Sequence, residues 1–299
     1  MREPLVSICI LTYQHEPYIE DCIKGILAQN YPNMELLFLD DASTDGTWDK
    51  IEQYHEVLES RCVRVEWIRH DHNTGNVTKN VNEMLKRCRG TYIKSLAGDD
   101  CLCPGYIEKM VAFLEEHEEY VMAYCNEYII SDEWHVGTPP GRESWFRFHR
   151  PFASEKVFDR LLLGNYIPAP ATMIRKSAYE KYGYYDESIG YEDYDMWLRL
   201  SRKESFGFVN EKLVYYRNSA TGLSHTDTRQ KFIFMYNETV KVLKKHLRYV
   251  NQGKRQTIIV RFLTARINEM KKKKWYDLAL VFWIKRRRLC RRNTKKIVL

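Results

Sequence analysis

Residues 4–47 read PLVSICILTYQHEPYIEDCIKGILAQNYPNMELLFLDDASTDGT, and this stretch decides the fold. Its first apolar run, Leu5–Leu11, is continuous and rich in β-forming residues, which is typical of a strand buried on both faces. Pro17 begins a predicted helix that ends near Gln29. Glu35–Leu39 is a second buried strand, so the stretch predicts one β-α-β unit.

The same alternation continues to about residue 130. Ser43 or Thr44 can cap a helix that runs to about Glu59. Further strands are predicted at 63–68, 91–96 and 121–126, with helices at 77–87 and from Pro104 onward. This alternation indicates an α/β, Rossmann-like fold with a mostly parallel central sheet flanked by helices. Ligands of such sheets bind beyond the carboxyl ends of the strands.

The rest of the chain changes character twice. Residues 132–150 lose periodicity and predict a loop or linker, and residues 151–225 mix short helices with strands. From residue 228 onward the pattern is helical. We therefore expect a main domain over 1–225, with halves at 1–130 and 151–225, and a C-terminal helical extension over 226–299.

Charge is distributed unevenly along the chain. The net charge is +7, yet twenty of the 47 Lys and Arg residues and only two of the 40 acidic residues lie in 241–299. The extension is therefore strongly basic and the remainder acidic. This asymmetry predicts that the extension meets a polyanion, either a membrane surface or nucleic acid. A hydrophobic content of 44% excludes a disordered or fibrous chain.

Neither a secretory signal nor a spanning helix is predicted, because the apolar runs Leu5–Leu11 and Leu278–Ile284 are too short. The eight cysteines lack paired short spacings, apart from Cys101 and Cys103. We therefore expect reduced thiols in a cytosolic protein. A zinc site is not expected, because a second closely spaced Cys or His pair is missing.

Acidic pairs follow two of the predicted strands. Asp41 stands after the second strand, where a carboxylate can accept a hydrogen bond from a base N–H such as uracil N3–H, or can serve a turn. Asp99 and Asp100 follow Gly98 at the end of the fourth strand. Such a pair suits Mg²⁺ or Mn²⁺, which bind through carboxylates and substrate phosphates. A polar turn is the alternative interpretation.

A third acidic cluster, Glu192-Asp193-Tyr194-Asp195, begins a predicted helix whose apolar face includes Trp197 and Leu200. The helix dipole favours negative charge at this end, so the cluster has a simple structural explanation. The functional explanation is a general base directed into a cleft.

Three segments together resemble the family 2 glycosyltransferases over roughly residues 4–220. They are the run from Val6 to Thr47, GTYIKSLAGDDCLCPGYIEKM at 90–110 and GYYDESIGYEDYDMWLRL at 183–200. The resemblance implies the GT-A fold, with 1–130 as the nucleotide-binding half and 151–225 as the acceptor half. It also implies transfer of a sugar, with inversion, from a nucleotide-diphosphate sugar, which we expect to be a UDP-sugar, to an acceptor hydroxyl.

The resemblance also implies roles for individual residues. The expected nucleotide contacts are Tyr13, Glu16, Asp41, Lys79 and Asp99, the expected ligands of Mg²⁺ or Mn²⁺ are Asp100 and Asp99, and the expected catalytic base is Asp193. Glu192 is the nearby alternative to Asp193. Ala97 stands where many members carry a further Asp, and His225 is a candidate for approaching the diphosphate.

Residues 271–296 combine basic clusters with tryptophan, tyrosine and an apolar patch, which is typical of a helix lying on an anionic bilayer. The expected lipid-facing residues are Trp275, Leu278, Ala279, Phe282 and Leu289. A helix packed on the main domain is the alternative. We expect a cytoplasmic enzyme, peripheral on the inner face of the cell membrane, that acts on a glycan or lipid-linked acceptor in cell-surface polysaccharide or glycolipid synthesis.

Two other function classes remain open at this point. A nucleotidyltransferase also uses paired carboxylates and Mg²⁺, but such enzymes generally carry a Gly-rich basic phosphate loop that Thr12-Tyr13-Gln14-His15 does not provide. A polyanion-binding protein built on the extension would leave the acidic body unexplained. Nucleic acid is therefore not the expected partner.

Overall fold

The computed structural model describes residues 3–139, 157–219 and 228–291. The strands are β1 Val6–Thr12, β2 Met34–Asp40, β3 Arg64–Arg69, β4 Tyr92–Ala97, β5 Cys101–Leu102, β6 Tyr120–Ile130, β7 Thr172–Arg175 and β8 Ser205–Arg217. The helices are α1 Ile19–Leu27, α2 Thr47–Glu52, α3 His55–Arg61, α4 Val77–Arg87, α5 Tyr106–Glu116, α6 Val157–Leu161, α7 Lys176–Tyr182, α8 Glu192–Leu200, α9 Arg229–His246, α10 Gln252–Lys272 and α11 Tyr276–Arg291.

The eight strands form one sheet in the order β3-β2-β1-β4-β7-β6-β8-β5. Strand β1 pairs in parallel with β2 and with β4, and β2 pairs in parallel with β3. Strand β7 is antiparallel to β4 and to β6, and β5 is antiparallel to β8, whereas β6 and β8 are parallel. The predicted parallel sheet is therefore confirmed for its N-terminal half and is mixed in its second half.

Two hydrophobic clusters cover the two faces of the sheet. Side chains alternate along a strand, so Ile8 and Ile10 of β1 enter one cluster with α1 and α5, while Cys9 enters the other with α4 and α8. All seven residues of β2 are buried. Burial on both faces is the reason that these strands read as continuous apolar runs rather than alternating ones.

The helix predicted from Ser43 or Thr44 to Glu59 is wrong in its start and its continuity. It forms as two short helices, α2 and α3, which are separated at Gln53 and Tyr54. Ser43 does not cap α2, because its N–H and hydroxyl bond to Asp40 Oδ atoms at 3.0 and 2.5 Å. Bonding within the loop competes with capping for the same side chains.

The C-terminal helices pack on the rest of the protein through the cluster that contains α4 and α8. Ala279 and Phe282 of α11 are 4% and 5% exposed, and Trp275 and Leu278 are partly buried against the same cluster. These four of the five residues that the sequence assigned to lipid therefore face the protein interior instead, and the side chain of the fifth, Leu289, lies outside the described residues. Among the described residues, no helix is both long enough and apolar enough to span a bilayer.

Candidate active site

The carboxyl ends of β1, β2 and β4 lie at one edge of the sheet because these strands are parallel and in register. Thr12 pairs with Asp40 across β1 and β2, and Leu11 pairs with Ala97 across β1 and β4. The three loops that follow these strands therefore begin side by side. This is the edge at which the open α/β folds bind ligands.

Gln14 and Glu16 hold the loop after β1 against the loop after β2. Gln14 donates from Nε2 to Thr44 Oγ1 at 2.9 Å, and its Oε1 accepts from the N–H groups of Thr44 and Asp45 at 3.1 and 3.0 Å. Glu16 Oε2 accepts from the Gly46 N–H at 3.0 Å. A Cβ at Gly46 would lie 2.6 Å from Glu16 Oε1, so any larger residue there would displace the Glu16 carboxylate. Glu16 thus stabilises the loop pair, whatever contact it makes with a nucleotide.

Asp41 is almost fully buried and is held by hydrogen bonds. Its Oδ1 accepts from His70 Nδ1 at 2.8 Å and from the Thr74 N–H at 3.0 Å, and Thr74 Oγ1 lies 3.0 Å from its Oδ2. Burial alone would raise the pKa of Asp41, but the bonds from His70 and Thr74 hold this pKa below its ordinary value. Asp41 therefore stays an anionic acceptor, and an ionised Oδ2 has lone pairs for a further donor.

His70 belongs to this site, although the sequence analysis did not identify it. Its Nε2 lies 3.2 Å from Glu83 Oε2, so both ring nitrogens face carboxylates. Burial alone would lower the pKa of His70, but Asp41 and Glu83 raise this pKa above its ordinary value. The sequence carried a signal, because His70 follows β3 as Asp41 follows β2. The His70 N–H bonds to the Asp40 carbonyl at 2.9 Å.

Asp100 lies at the end of β4 in a negative and buried environment. Its Oδ1 accepts from the Arg217 N–H at 2.9 Å. Burial and the adjacent Asp99 carboxylate raise the pKa of Asp100 well above its ordinary value. Lys94 is a nearby cation, and its own burial lowers the pKa of its amine to about 8. The two adjacent carboxylates therefore form a site whose charge is only partly compensated by the protein.

Arg217, at the end of β8, ties the Asp99 loop to the loop after β6 and to α1. Its Nε donates to the Asp99 carbonyl at 3.0 Å, and its Nη1 donates to the carbonyls of Ser131 and Trp134 at 2.6 and 3.0 Å. Its Nη2 donates to Asp21 Oδ2 at 3.2 Å. The side chain is fully buried. Its partners are distant along the chain, so the local sequence around Arg217 gives no signal of this role.

The residues at the end of β4 suit a divalent cation that a phosphate also binds. The described residues contain no group of three or more His, Cys, Asp or Glu side chains that could hold a metal ion by themselves. Mg²⁺ needs only one or two carboxylates when substrate phosphates complete its shell, and Asp99 and Asp100 are the candidates for these carboxylates. Thr12 Oγ1 and His15 Nδ1, beside Gly98, are buried and lack a hydrogen-bond partner within the described part of the chain.

Asp193 is the second residue of α8 and is held in one orientation. Its Oδ2 accepts from Asn165 Nδ2 at 3.1 Å, and its Oδ1 accepts from the Tyr194 N–H at 2.6 Å. The Asn165 amide is itself oriented, because its Oδ1 accepts from the Ile167 N–H at 3.2 Å. Burial raises the pKa of Asp193 to about 6. Burial and the neighbouring Asp193 carboxylate also raise the pKa of Glu192. Asn165 was not among the candidate residues predicted from the sequence.

Helix α4 joins the surroundings of Asp41 to the loop that precedes Asp193. Its residue Thr78 donates from Oγ1 to the Ile189 carbonyl at 3.0 Å. One turn further on, the Asn82 side chain exchanges hydrogen bonds with the Tyr185 backbone at 2.9 and 3.0 Å. Because Thr74 of the preceding loop bonds to Asp41, one rigid helix relates the two acidic residues.

Tyr191 and Tyr216 lie between the surroundings of Asp193 and those of Asp100. Burial raises the pKa of Tyr191, and the neighbouring Asp193 and Tyr216 raise this pKa further. Tyr191 thus lies near both of these residues. Tyr216 adjoins Arg217, whose N–H bonds to Asp100. Tyr191 and Tyr216 are thus neighbours of the predicted base and of the residue that binds the predicted metal ligand, and the assignment of both acidic residues to one site stays a prediction.

Two of the predicted nucleotide residues are exposed beside this region. Tyr13 is 42% exposed at the end of β1. Lys79 is exposed in the first turn of α4, where its N–H bonds to Asn76 Oδ1 at 3.0 Å. Their roles in nucleotide binding stay predictions. His225 lies outside the described residues.

Comparisons with known proteins bear on the family and the fold of the chain. Residues 7–183 match the family described as Glycosyl transferase family 2. TuaG of Bacillus subtilis (strain 168), which carries the name of a teichuronic acid biosynthesis glycosyltransferase, is 27% identical over 241 residues, covering 79% of this chain and 88% of TuaG.

Two solved structures share the fold. The S. aureus TarS fragment 1–349 in complex with UDP-GlcNAc matches with a TM-score of 0.59 at 16% identity, covering 87% of this chain and 81% of that one. The mannosyltransferase PcManGT of Pyrobaculum calidifontis, in complex with GDP-Man and Mn²⁺, matches with a TM-score of 0.56 at 14% identity, covering 91% and 76%. The predicted GT-A fold is confirmed, and the chain belongs to glycosyltransferase family 2.

Proposed function

We propose that this glycosyltransferase moves a sugar from a UDP-sugar to an acceptor hydroxyl, with inversion, in the synthesis of a cell-surface polysaccharide or glycolipid. The observation that carries this proposal is a pair of acidic side chains with opposite properties in one connected region. The pKa of Asp41 is held low and the pKa of Asp193 is raised. Carboxylates whose pKa values are pushed apart are suited to different roles.

Asp41 would read the base of the donor. Its Oδ2 can accept the N3–H of uracil while His70 and Thr74 continue to occupy Oδ1. The exposed side chains of Tyr13 and Lys79 would then lie beside the nucleoside and its phosphates. The UDP-GlcNAc bound to TarS supports a uridine nucleotide as the donor.

Asp100, assisted by Asp99, would hold Mg²⁺ or Mn²⁺. When bound, the ion supplies a positive charge that neutralises the charge developing on the diphosphate leaving group. The buried carboxylate pair supports this role, because a divalent cation would offset the repulsion that raises the pKa of Asp100. The Mn²⁺ in the mannosyltransferase complex also supports it.

Asp193 would act as the general base. Its carboxylate takes the proton of the acceptor hydroxyl as that oxygen attacks the anomeric carbon, and the bond from this carbon to the diphosphate oxygen breaks on the opposite face. One displacement of this kind inverts the anomeric configuration. Asn165 holds Oδ2 in place during the transfer. Positioned general-base catalysis is typically worth about 10²–10⁴ in rate.

The acceptor would be a glycan or a lipid-linked precursor at the cytoplasmic side of the cell membrane. The name of TuaG supports a polysaccharide product. The basic segment 271–296 supports action next to an anionic membrane surface. The family assignment favours sugar transfer over the nucleotidyl transfer that the sequence had left open.

A thermal-shift screen of nucleotide sugars, each with and without Mn²⁺, tests this proposal directly. We expect UDP-sugars to raise the melting temperature, and we expect Mn²⁺ to increase the effect. Asp49→Asn, at an exposed position of α2, is the matched acid-to-amide control for the Asp→Asn variants of the site. The proposal fails if no uridine nucleotide stabilises the protein under either condition.

A further inference from the structure

The outward face of α11 is apolar and exposed. Tyr276 and Leu280 are 64% and 56% exposed, and Val281, Ile284 and Trp283 are 49%, 39% and 37% exposed. These side chains lie opposite the buried residues of the same helix. An apolar stripe of this kind on the surface of a protein marks an interaction site more often than chance exposure does.

Helical spacing makes these side chains one continuous surface. Tyr276, Leu280 and Ile284 are separated by four residues each and line up along the helix. Val281 and Trp283 flank this line on its two sides. The stripe therefore belongs to residues that the sequence analysis did not assign to lipid, because periodicity alone could not show which face of α11 packs inward.

Basic side chains surround the stripe. Lys271, Lys272 and Lys274 are exposed immediately before α11, and Lys285 and Arg287 are exposed within it. Asp277 is the one acidic residue of α11, and it forms an ion pair with Arg229 of α9. Because the Asp277 carboxylate is already paired with Arg229, it does not offset the positive charge around the apolar stripe.

We infer that this face of α11 docks on an anionic lipid bilayer. Apolar and aromatic residues bordered by lysine and arginine fit the boundary between acyl chains and anionic headgroups. A second copy of the chain is the less favourable occupant, because two such faces would bring like charges together. The inference deepens the membrane location that the proposed function includes and rests on it, but it is separate from the proposed sugar donor and base, since it concerns a surface formed by α11.

Flotation of the full chain with vesicles tests the inference. The vesicles are phosphatidylcholine alone or an equal mixture of phosphatidylcholine and phosphatidylglycerol. We expect the wild type to float with the anionic vesicles and not with the neutral ones. The double variant Leu280→Ser/Ile284→Ser should lose flotation. Lys285→Gln/Arg287→Gln should weaken binding about 25-fold, because each basic residue near an anionic surface contributes about fivefold.

Val57→Ser/Val63→Ser is the matched control, because these two valines are 44% and 61% exposed at the opposite end of the chain. It should float like the wild type, and all variants should keep the wild-type melting temperature. Equal flotation of the wild type and the Leu280→Ser/Ile284→Ser variant would overturn the inference. If the wild type sedimented as a dimer and the Leu280→Ser/Ile284→Ser variant lost that dimer without a change in flotation, this result would also overturn the inference, in favour of a second copy. The assay does not measure sugar transfer, so its failure is distinct from failure of the proposed function.

Discussion

Asn165 Nδ2 donates a hydrogen bond to Asp193 Oδ2 at 3.1 Å, and Asn165 is itself oriented by the backbone N–H of Ile167. The two residues are 28 positions apart, because Asn165 lies between α6 and β7 whereas Asp193 lies in α8. The bond favours the ionised form of Asp193 against the burial that disfavours it. It thus connects the orientation of the proposed base with its protonation state.

Asp193→Asn should reduce transfer by about 10²–10⁴, because an amide cannot take the proton of the acceptor hydroxyl. Binding of the donor should be nearly unchanged, since the substitution keeps the shape of the side chain. Steady-state kinetics and the thermal shift with a UDP-sugar measure the two effects separately. A variant that kept most of its rate would remove Asp193 from the mechanism, and Glu192→Gln would then be the next variant to measure.

The rate should depend on pH through Asp193. Burial raises the pKa of Asp193 to about 6, so kcat/KM should fall as the pH drops through about 6. An ordinary aspartate would instead titrate near pH ~4. Asn165→Asp should move this limb to higher pH, because it replaces a donor with a second negative charge. A purely structural role of Asn165 would lower the rate without moving the limb, and that result would refute its role on Asp193.

Asp100→Asn should abolish the part of the donor-induced thermal shift that depends on Mn²⁺, and chelation with EDTA should have the same effect on the wild type. The physical reason is the loss of an anionic oxygen ligand, which a hard divalent cation prefers over an amide. Isothermal calorimetry with a UDP-sugar checks the result. Asp49→Asn is the control, and unchanged Mn²⁺ dependence in Asp100→Asn would contradict the metal assignment.

Asp41→Asn should weaken binding of UDP by about 10–100-fold, because a hydrogen bond to a charged acceptor contributes about 1.5–3 kcal/mol. The wild type should also prefer UDP over CDP, since cytosine lacks the N3–H that Asp41 would accept. Competition calorimetry with the two nucleotides measures this preference. Retention of the full preference in Asp41→Asn would show that another group reads the base.

Arg217→Met should destabilise the protein by about 3–5 kcal/mol, because it removes the buried guanidinium that pairs with the buried Asp21 carboxylate and leaves that carboxylate with His135 and the Val136 N–H as its partners. Urea unfolding followed by circular dichroism measures the change in the free energy of unfolding. Arg87→Met is the control. Arg87 is 45% exposed and pairs with Glu66 and Glu83 at the surface, so its loss should cost less than about 1 kcal/mol. Similar losses for both variants would contradict the role given to Arg217.

The sequence was sufficient for the features that depend on local pattern. Continuous apolar runs located β1 and β2, because a strand buried on both faces carries apolar residues at successive positions. Parallel pairing then placed the ends of β2 and β4, and with them Asp41 and Asp100, at one edge of the sheet. The break between α2 and α3 could not be predicted in this way, because Ser43 bonds to Asp40 rather than to the helix.

The sequence by itself determined the family, the order of strands and helices in the N-terminal half and the candidate acidic residues, because these are properties of short segments. Only the tertiary structure placed His70, Asn165 and Arg217 at the site, since each acts through partners distant along the chain. It also decided which side of α11 is buried. That choice depends on the surface against which the helix packs, and the residues of that surface lie elsewhere in the sequence.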